Sequence, residues 1–533
     1  MMFIEKILSN LQQDTSEPCV HEVHGDQLKT FSKKDFESLI AQAKKNLTSI
    51  GIKKGDRVVL LGSNSAQWVA CDLAMICLGA IVVPLYHRQD PKELAFMAQD
   101  CQPSLFIYAD EVLKNEVLKH WNMTCKSAKL DTLFTHTENF KLVSEKLDDQ
   151  NIVTMIYTSG TSGHPKGVML NMGNINFMLQ RTTDQLYAAK KNQTNNDRVF
   201  HFLPLCFAGS RMMLWTQLFR GNPVHLSMDL KNLVQEMSTA APMFYLNVPA
   251  ILERIRTGVE TKIKEKGGLT YSLYKKAISD NPPFWSGLIL GSIRKKIGTN
   301  LRFLICGSAA LHPETQTWFK KLGITILQVY GLTETTAIIT MDDPADVQIG
   351  LVGKAIQGVQ IKISDEGELL CKGPNVFPGY WNRDEETKKS FTAGWFKTGD
   401  LAEITPSGHI RITGRLKNLI IPTSGHNIVP EPIEEMLQKH CPKIEHAVLI
   451  GHGKPFLSLI VTGNAEQSEI EDAIAKINED VPHYRKIQTY IHYQDGFTVE
   501  NGLLTVNQKI KRNAIESVLG SRIENMYRIA AQI

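Results

Sequence analysis

The chain has 533 residues, too many for one compact core, so at least two domains are expected, one of them large enough to be subdivided. It is 43% hydrophobic and 21% charged, and 59 Lys+Arg against 55 Asp+Glu leave a formal charge of +4, too small an excess to indicate a nucleic-acid partner. Nine scattered cysteines form no CxxC pair and no histidine cluster stands at ligand spacing, which suits reduced thiols and argues against structural zinc.

In chain order, residues 30–35 open a helix whose apolar side chains Phe36, Leu39, Ile40, Ala43 and Leu47 recur at helical spacing, and Gly51 closes it. Residues 56–61 read as a buried strand, 65–78 as a helix stopping at Gly79, and 80–85 as a second strand. Strand, helix, strand in that order is a βαβ unit, so a parallel sheet wrapped by helices is predicted. Similar alternation recurs at 104–108, 222–226 and 301–306. From about residue 355 the texture changes to short β pieces with glycine turns, a small β-rich subdomain over 355–415. A further α/β piece follows Leu416, with strands at 447–450 and 457–461 and helices starting near Glu431 and Ser468. The expected fold is α/β: an N-terminal domain over 1–415, a hinge near Leu416–Lys417 and a smaller α+β domain over 416–533.

Three segments carry chemistry. Residues 152–157 form an apolar strand that runs into Thr158-Ser159-Gly160-Thr161-Ser162-Gly163-His164-Pro165-Lys166. Its hydroxyls and glycines let backbone N–H groups turn toward an anion while Lys166 neutralises charge, as a polyphosphate requires. The spacing is not G-x-x-x-x-G-K-[ST], which disfavours a P-loop kinase or ATPase. A flexible surface loop is the competing reading of this segment alone. The second segment, Gln328-Val329-Tyr330-Gly331-Leu332-Thr333-Glu334, again ends an apolar run. Tyr330 beside Gly331 suits stacking on a purine, Thr333 suits a phosphate oxygen, and Glu334 suits Mg²⁺, a hard cation that prefers carboxylate. A plain strand–turn–helix junction with Thr333 as N-cap is the alternative. In the third, Asp400 at a glycine turn suits both ribose hydroxyls, and Arg415 suits a bridge between ribose and phosphate. Either feature alone is more often a surface turn.

Together these segments resemble the acyl-activating (adenylate-forming) superfamily of acyl-CoA synthetases, peptide-synthetase adenylation domains and luciferases. The resemblance runs from the helix near residue 36 to the C-terminus. The family's YTSGTTGxPKGV is matched by YTSGTSGHPKGV, its YGxTE by Tyr330–Glu334 and its TGD by Thr398–Asp400. It implies a nucleotide site of Thr158 to Gly163, Lys166, Gln328, Tyr330, Gly331, Asp400 and Arg415, with Thr161 and Glu334 toward Mg²⁺ and Thr333 and Glu334 taking part in catalysis. Gly307, Ser308 and Ala309 match the segment around the adenine. Lys509, four residues after Thr505, matches the lysine that bridges carboxylate and α-phosphate. A compact ammonium suits that role because negative charge builds on phosphorus, although Lys509 also sits in a basic run of the kind usually solvated. The resemblance further implies a mobile C-terminal domain that pivots at Lys417 between two half-reactions. Two positions depart from the family pattern: Phe207 stands where many relatives have histidine, and His426 where long-chain relatives often have glutamate.

Residues 293–311 and 424–435 look like long-chain acyl-CoA synthetases, so the resemblance implies ATP, Mg²⁺ and CoA, with a medium- or long-chain fatty acid as substrate. Phe207, Met212 and Trp215 line or gate an apolar acid tunnel on one reading and are ordinary helix core on the other. The N-terminal stretch lacks the charge and apolar pattern of a secretory leader, and no run reaches about 18 apolar residues, so a cytoplasmic protein is expected. Eleven basic residues between Arg254 and Arg302, interleaved with apolar ones, suit either peripheral attachment at the inner face of a membrane or a solvated helical face. Rival activities are a fatty acyl-AMP ligase loading a separate carrier protein, a nucleotide-binding regulator without catalysis, and a luciferase-like oxidase.

Overall fold

The computed structural model describes residues 1–135, 142–159, 165–189, 197–280, 282–505 and 509–530. The chain is mixed α/β and divides into a larger unit, Met1–Lys362 with Leu370–Lys397 and Ile404–Ile410, and a smaller one, Ile363–Leu369 with Thr398–Glu403 and Arg411–Ile533.

The larger unit is organised around a seven-stranded sheet in the order Gly379–Tyr380, Pro165–Asn171, Ile152–Ser159, Ile81–Leu85, Arg57–Leu61, Leu105–Tyr108, Lys126–Lys129. The five strands from Ile152–Ser159 onward are parallel, as the βαβ pattern predicts. The other edge is antiparallel, because Pro165–Asn171 folds straight back on Ile152–Ser159 and then receives Gly379–Tyr380. The sheet is therefore mixed rather than purely parallel. Arg57–Leu61 and Ile81–Leu85 are almost wholly buried, which explains why they read as unbroken apolar runs.

Local signals set the helices around this sheet. Lys33–Ile50 starts at a capping box, in which Ser32 accepts from the Asp35 N–H and Asp35 accepts from the Ser32 N–H. It ends at Gly51, whose φ of 104° lies in the left-handed region open to glycine. Ala66–Cys77, capped by Ser65, is buried on every side. The helix Phe3–Leu11, with Phe3, Ile4, Ile7, Leu8 and Leu11 buried, is an element that the composition argument does not anticipate.

A second sheet runs Gln27–Ser32, Pro18–His24, Val224–Ser227, Val199–His201, and a third Leu246–Asn247, Phe303–Cys306, Thr325–Tyr330, Thr340–Met341, Lys354–Ala355. Gln360–Ile363, Glu368–Lys372, Trp395–Ile404 and Phe391–Thr392 form the β-rich sheet, with Ile410–Arg415 on Trp395–Ile404, and the chain passes between the two units within these strands. The smaller unit also holds a three-stranded sheet, Ile444–Ile450, Leu457–Gly463 and Ile487–His492, beside helices Glu431–His440 and Gln467–Asp480. Ile433, Leu437, Ile470, Ala473 and Ile477 fill its core at helical spacing. Among the described residues no helix is long and apolar enough to cross a membrane.

Candidate active site

Ile152–Ser159 and Pro165–Asn171 pair as antiparallel strands on either side of the phosphate-loop segment. Thr158 pairs with Lys166 and Ser159 with Pro165, at the C-terminal end of a strand that joins the parallel array through Thr154 and Val82. Ligands of open α/β sheets collect at such carboxyl ends. Gly160, Thr161, Ser162 and Gly163 lie outside the described residues, so the Thr161 assignment to Mg²⁺ has no structural description. Gly167 must be small: a Cβ there would lie 2.6 Å from Met155 Sδ.

Lys166 is largely shielded, forms an ion pair with Glu386, and has its Nζ 5.3 Å from the centre of the Tyr380 ring. Tyr380 donates to Glu334 Oε1 at 2.9 Å, and Glu334 is buried. Burial, reinforced by the Glu334 charge, pushes the Tyr380 hydroxyl above the ordinary tyrosine value, so it remains a donor at neutral pH. Lys166, Tyr380 and Glu334 therefore form one connected group.

The turn carrying Glu334 is tightly constrained. A Cβ on Gly331 would lie 2.4 Å from the Ala337 carbonyl oxygen. Thr336 and Ala337 both take positive φ, 53° and 82°, costly for non-glycine residues and characteristic of functional sites. Thr336 is held there by its hydroxyl bond to the Asn375 carbonyl at 2.7 Å. Thr333 lies inside the short 3₁₀ turn Thr333–Thr335, and Thr335, not Thr333, accepts from the Leu332 N–H at 2.9 Å. The N-cap alternative for Thr333 is thereby corrected: the capping hydroxyl is two residues further on. Tyr330 and Thr333 are both half-buried.

Gln328 has its side-chain amino group committed within the fold. The buried amide donates to Gln316 Oε1 at 3.1 Å and to the Leu351 carbonyl at 2.9 Å. Across the parallel pair, Cys306 stands beside Gln328, which brings Gly307, Ser308 and Ala309 to the same end of the sheet. Gly307 is closely packed, a Cβ there lying 2.7 Å from Val329 Cγ2, while Ser308 and Ala309 are exposed and Ser308 has φ 74°.

The pocket assignments separate. Phe207 is half-buried, 5.6 Å from the Tyr86 ring, just ahead of helix Ala208–Phe219. Met212 is buried, and Trp215 is wholly buried, 5.2 Å from Phe3 and 4.5 Å from the Arg211 guanidinium, with its N–H on Asp72 at 3.0 Å. Trp215 is a core residue with every polar need met. The tunnel reading of it is corrected to the helix-core one.

The smaller unit gathers the remaining residues. Asp400 is 3% exposed and lies 3.0 Å from Arg415 Nε. Its turn is pinned by Thr398, which donates to the Leu369 carbonyl, and by the Gly399 N–H on Glu368 at 2.8 Å. Lys509 is tied to Thr505 by two hydrogen bonds: the Thr505 N–H donates to the Lys509 carbonyl at 2.8 Å and the Lys509 N–H to Thr505 Oγ1 at 3.0 Å. Partial withdrawal from water and then the Arg415 and Lys417 charges push the Lys509 ammonium below the ordinary lysine value, with Asp400 opposing. Lys417 is lowered as well, by withdrawal from water and by Arg415. Lys509 keeps an exposed surface, so neighbouring charge is the physically firmer cause. His426 stacks on Tyr484 with ring centres 4.0 Å apart.

Tyr380, Glu386 and Arg383 lie close to the site yet have no local signature, since Tyr380 stands 46 residues from the carboxylate that it meets.

Two family models match the chain: AMP-binding enzyme over residues 10–381, and AMP-binding enzyme C-terminal domain over residues 417–531. The chain is 27% identical to long-chain-fatty-acid–CoA ligase FadD15 of Mycobacterium tuberculosis, over 92% of this chain and 90% of that protein. It is also 27% identical to long-chain-fatty-acid–CoA ligase ACSBG1 of Rattus norvegicus, over 85% of this chain and 70% of that one. Among solved structures, MenE from Bacillus subtilis, an o-succinylbenzoate CoA synthetase in complex with the acyl-adenylate intermediate OSB-AMP, superposes with a TM-score of 0.77 at 21% identity, covering 96% of this chain and 97% of that one. ATP-bound MatB from Rhodopseudomonas palustris superposes with a TM-score of 0.76 at 20% identity, covering 97% and 99%. At these identities the solved structures share the fold. With the first family model matching well over half of its length, the chain belongs to the AMP-binding enzyme family, the adenylate-forming superfamily that its three motif segments resemble.

Proposed function

We propose that the protein is an AMP-forming acyl-CoA ligase that activates a medium- or long-chain fatty acid as its adenylate and passes the acyl group to CoA. The observation that carries this reading is the connected group of Lys166, Tyr380 and Glu334 at the carboxyl end of the sheet. The names of the fatty-acid-ligase relatives support the choice of acid and thiol.

In this reading the substrate carboxylate is the nucleophile at the α-phosphorus, so no protein nucleophile is needed, and the protein positions groups and stabilises charge. Lys166 meets the outer phosphates, Tyr330 stacks on the base, and Asp400 with Arg415 holds the ribose. Lys509 offsets the charge that builds as the carboxylate attacks, and rotation about Lys417 then opens the way for the thiol.

Among the described residues no group of three His, Cys, Asp or Glu side chains is placed to hold a metal. A single buried carboxylate, Glu334, fits Mg²⁺ carried largely by phosphate oxygens, the usual habit of that ion. When bound there it would neutralise phosphate charge.

The test follows pyrophosphate release and thioester formation with ATP, Mg²⁺ and acids from acetate to oleate, with and without CoA. Acid-dependent pyrophosphate release followed by oleoyl-CoA is expected. Adenylate that never becomes thioester would point to a carrier-protein acceptor, and activity confined to short or aryl acids would overturn the fatty-acid assignment.

Peripheral membrane attachment has one specific observation behind it. Leu269 and Leu288 are 77% and 78% exposed and Phe284 fully so, in the same stretch of sequence as the exposed Lys275, Lys276, Lys295 and Lys296. An apolar and basic surface of this kind suits anionic lipid. Sedimentation with phosphatidylglycerol vesicles, lost in Phe284→Asp/Leu288→Asp, is the expected result.

A further inference from the structure

The Lys166 ammonium meets a carboxylate for which acid activation has no evident use. Glu386, on the short helix Asp384–Lys389, pairs with Lys166 through Oε2, and its Oε1 lies 3.9 Å from Arg383 Nε. The contact is a charge pair rather than an aligned hydrogen bond. Arg383 reaches Asp100 at 2.6 Å, and the other Asp100 oxygen accepts from the Tyr157 hydroxyl at 2.7 Å. The backbone fixes the same segment, since Gly379 and Tyr380 pair with Met169 and Val168, and the Trp381 N–H donates to the Gly167 carbonyl at 2.8 Å. A relay of polar contacts, Tyr157, Asp100, Arg383, Glu386 and Lys166, thus joins the strand ahead of the phosphate loop to the lysine behind it. The Lys166 and Glu386 side chains are 14% and 34% exposed, so solvent screens their attraction only in part.

We propose that Glu386 is a built-in counter-anion for Lys166, holding the ammonium when no polyphosphate is present and competing with ATP and pyrophosphate for it. The inference rests on the reading of Lys166 as a phosphate-binding residue. A phosphate oxygen that approaches Lys166 must share or displace the carboxylate, and like charges at that distance repel. Competition of this sort weakens the bound substrate and the transition state alike, so it appears in KM and in product inhibition rather than in kcat. It acts on product in the same way: as pyrophosphate leaves, Glu386 recaptures the ammonium and lowers the charge that would let the product rebind. Arg383, tethered to Asp100, keeps Glu386 from swinging away.

The test is Glu386→Gln in the full chain, which keeps shape and removes charge. The KM for ATP and the inhibition constant of inorganic pyrophosphate should both fall about two- to fivefold, the scale of one partly screened ion pair, with kcat little changed. Added salt should shrink the difference from the parent enzyme. Glu386→Ala must move both constants in the same direction. Lys166→Ala separates the two levels of inference, since it should weaken ATP and pyrophosphate together. If it does so while Glu386→Gln leaves both constants unchanged or raises them, the counter-anion role is wrong. If Lys166→Ala affects neither, the assignment of Lys166 to phosphate itself fails.

Discussion

Tyr380 donates its hydroxyl hydrogen to Glu334 Oε1 at 2.9 Å while its ring lies 5.3 Å from the Lys166 ammonium, so a single phenol ties the carboxylate assigned to the cation to the lysine assigned to phosphate. Removing that hydroxyl leaves a buried carboxylate short of one donor. Loss of such a bond costs about 1–2 kcal/mol, so Tyr380→Phe should raise the KM for Mg·ATP roughly five- to thirtyfold. The magnesium concentration needed for half-maximal rate should rise as well. An unchanged magnesium dependence would separate Tyr380 from the cation site.

Lys509 sets an alkaline limit. Its ammonium lies below the ordinary lysine value, so it loses its proton at lower pH than a free lysine and adenylation should decline correspondingly early on the alkaline side. Arg415→Ala removes one of the repelling charges and should move that limb upward. Lys509→Ala should reduce acid-dependent pyrophosphate release by about 10²–10³-fold. It should spare thioester formation from supplied acyl-adenylate, and equal loss of both half-reactions would deny this lysine a step-specific role.

Asp342 gives stability a pH dependence. Burial raises its carboxyl to about 7 from an ordinary 3.8, against the opposing bond from the Gln328 N–H. The folded chain keeps this proton where the unfolded chain has lost it, so the contribution is complete below about pH 4 and declines as pH rises to about 7. Thermal denaturation should show the protein more stable at pH 5 than at pH 7.5 by about 1–2 kcal/mol from this group, with the slope flattened in Asp342→Asn. A slope identical in the two proteins would assign it elsewhere.

The pair Arg211–Asp72 is wholly buried, and its remaining polar atoms are met by Thr154 at 2.6 Å and by the Trp215 N–H at 3.0 Å. Breaking one side strands a charge in the core. Arg211→Met should cost about 3–5 kcal/mol, and Asp72→Asn/Arg211→Met together should cost less than the two changes summed. Chemical denaturation of the set decides this, and strict additivity would show that the two groups do not act as a pair.

Legibility in the sequence follows the range over which each cause acts. Ser32, Asp35 and Gly51 mark Lys33–Ile50 because caps and stops act within a few residues. Arg57–Leu61 and Ile81–Leu85 are legible because burial on both faces leaves an apolar run. Phe3–Leu11 is not, since the face that makes it a helix is completed by Trp215. Nor is the antiparallel return of Gly379–Tyr380, whose partners Met169 and Val168 lie more than 200 residues earlier. Gln328 belongs to a nucleotide motif by position, but its side chain points to the Gln316 and Leu351 side of the strand. Glu386 has only charge to distinguish it from Glu385, and only the fold places it on Lys166.

Asp400, Arg415, Lys417 and Lys509 belong to one compact unit that also takes in Ile363–Leu369 and Thr398–Glu403. A gene fragment cut at residue 416, where the C-terminal family match begins one residue later, would encode the lysine without the carboxylate that offsets its repelling neighbours. Swapping that fragment between relatives would carry Lys417 along with Lys509 but leave Asp400 and Arg415 to the recipient, so donor and recipient would set the acidity of this ammonium jointly.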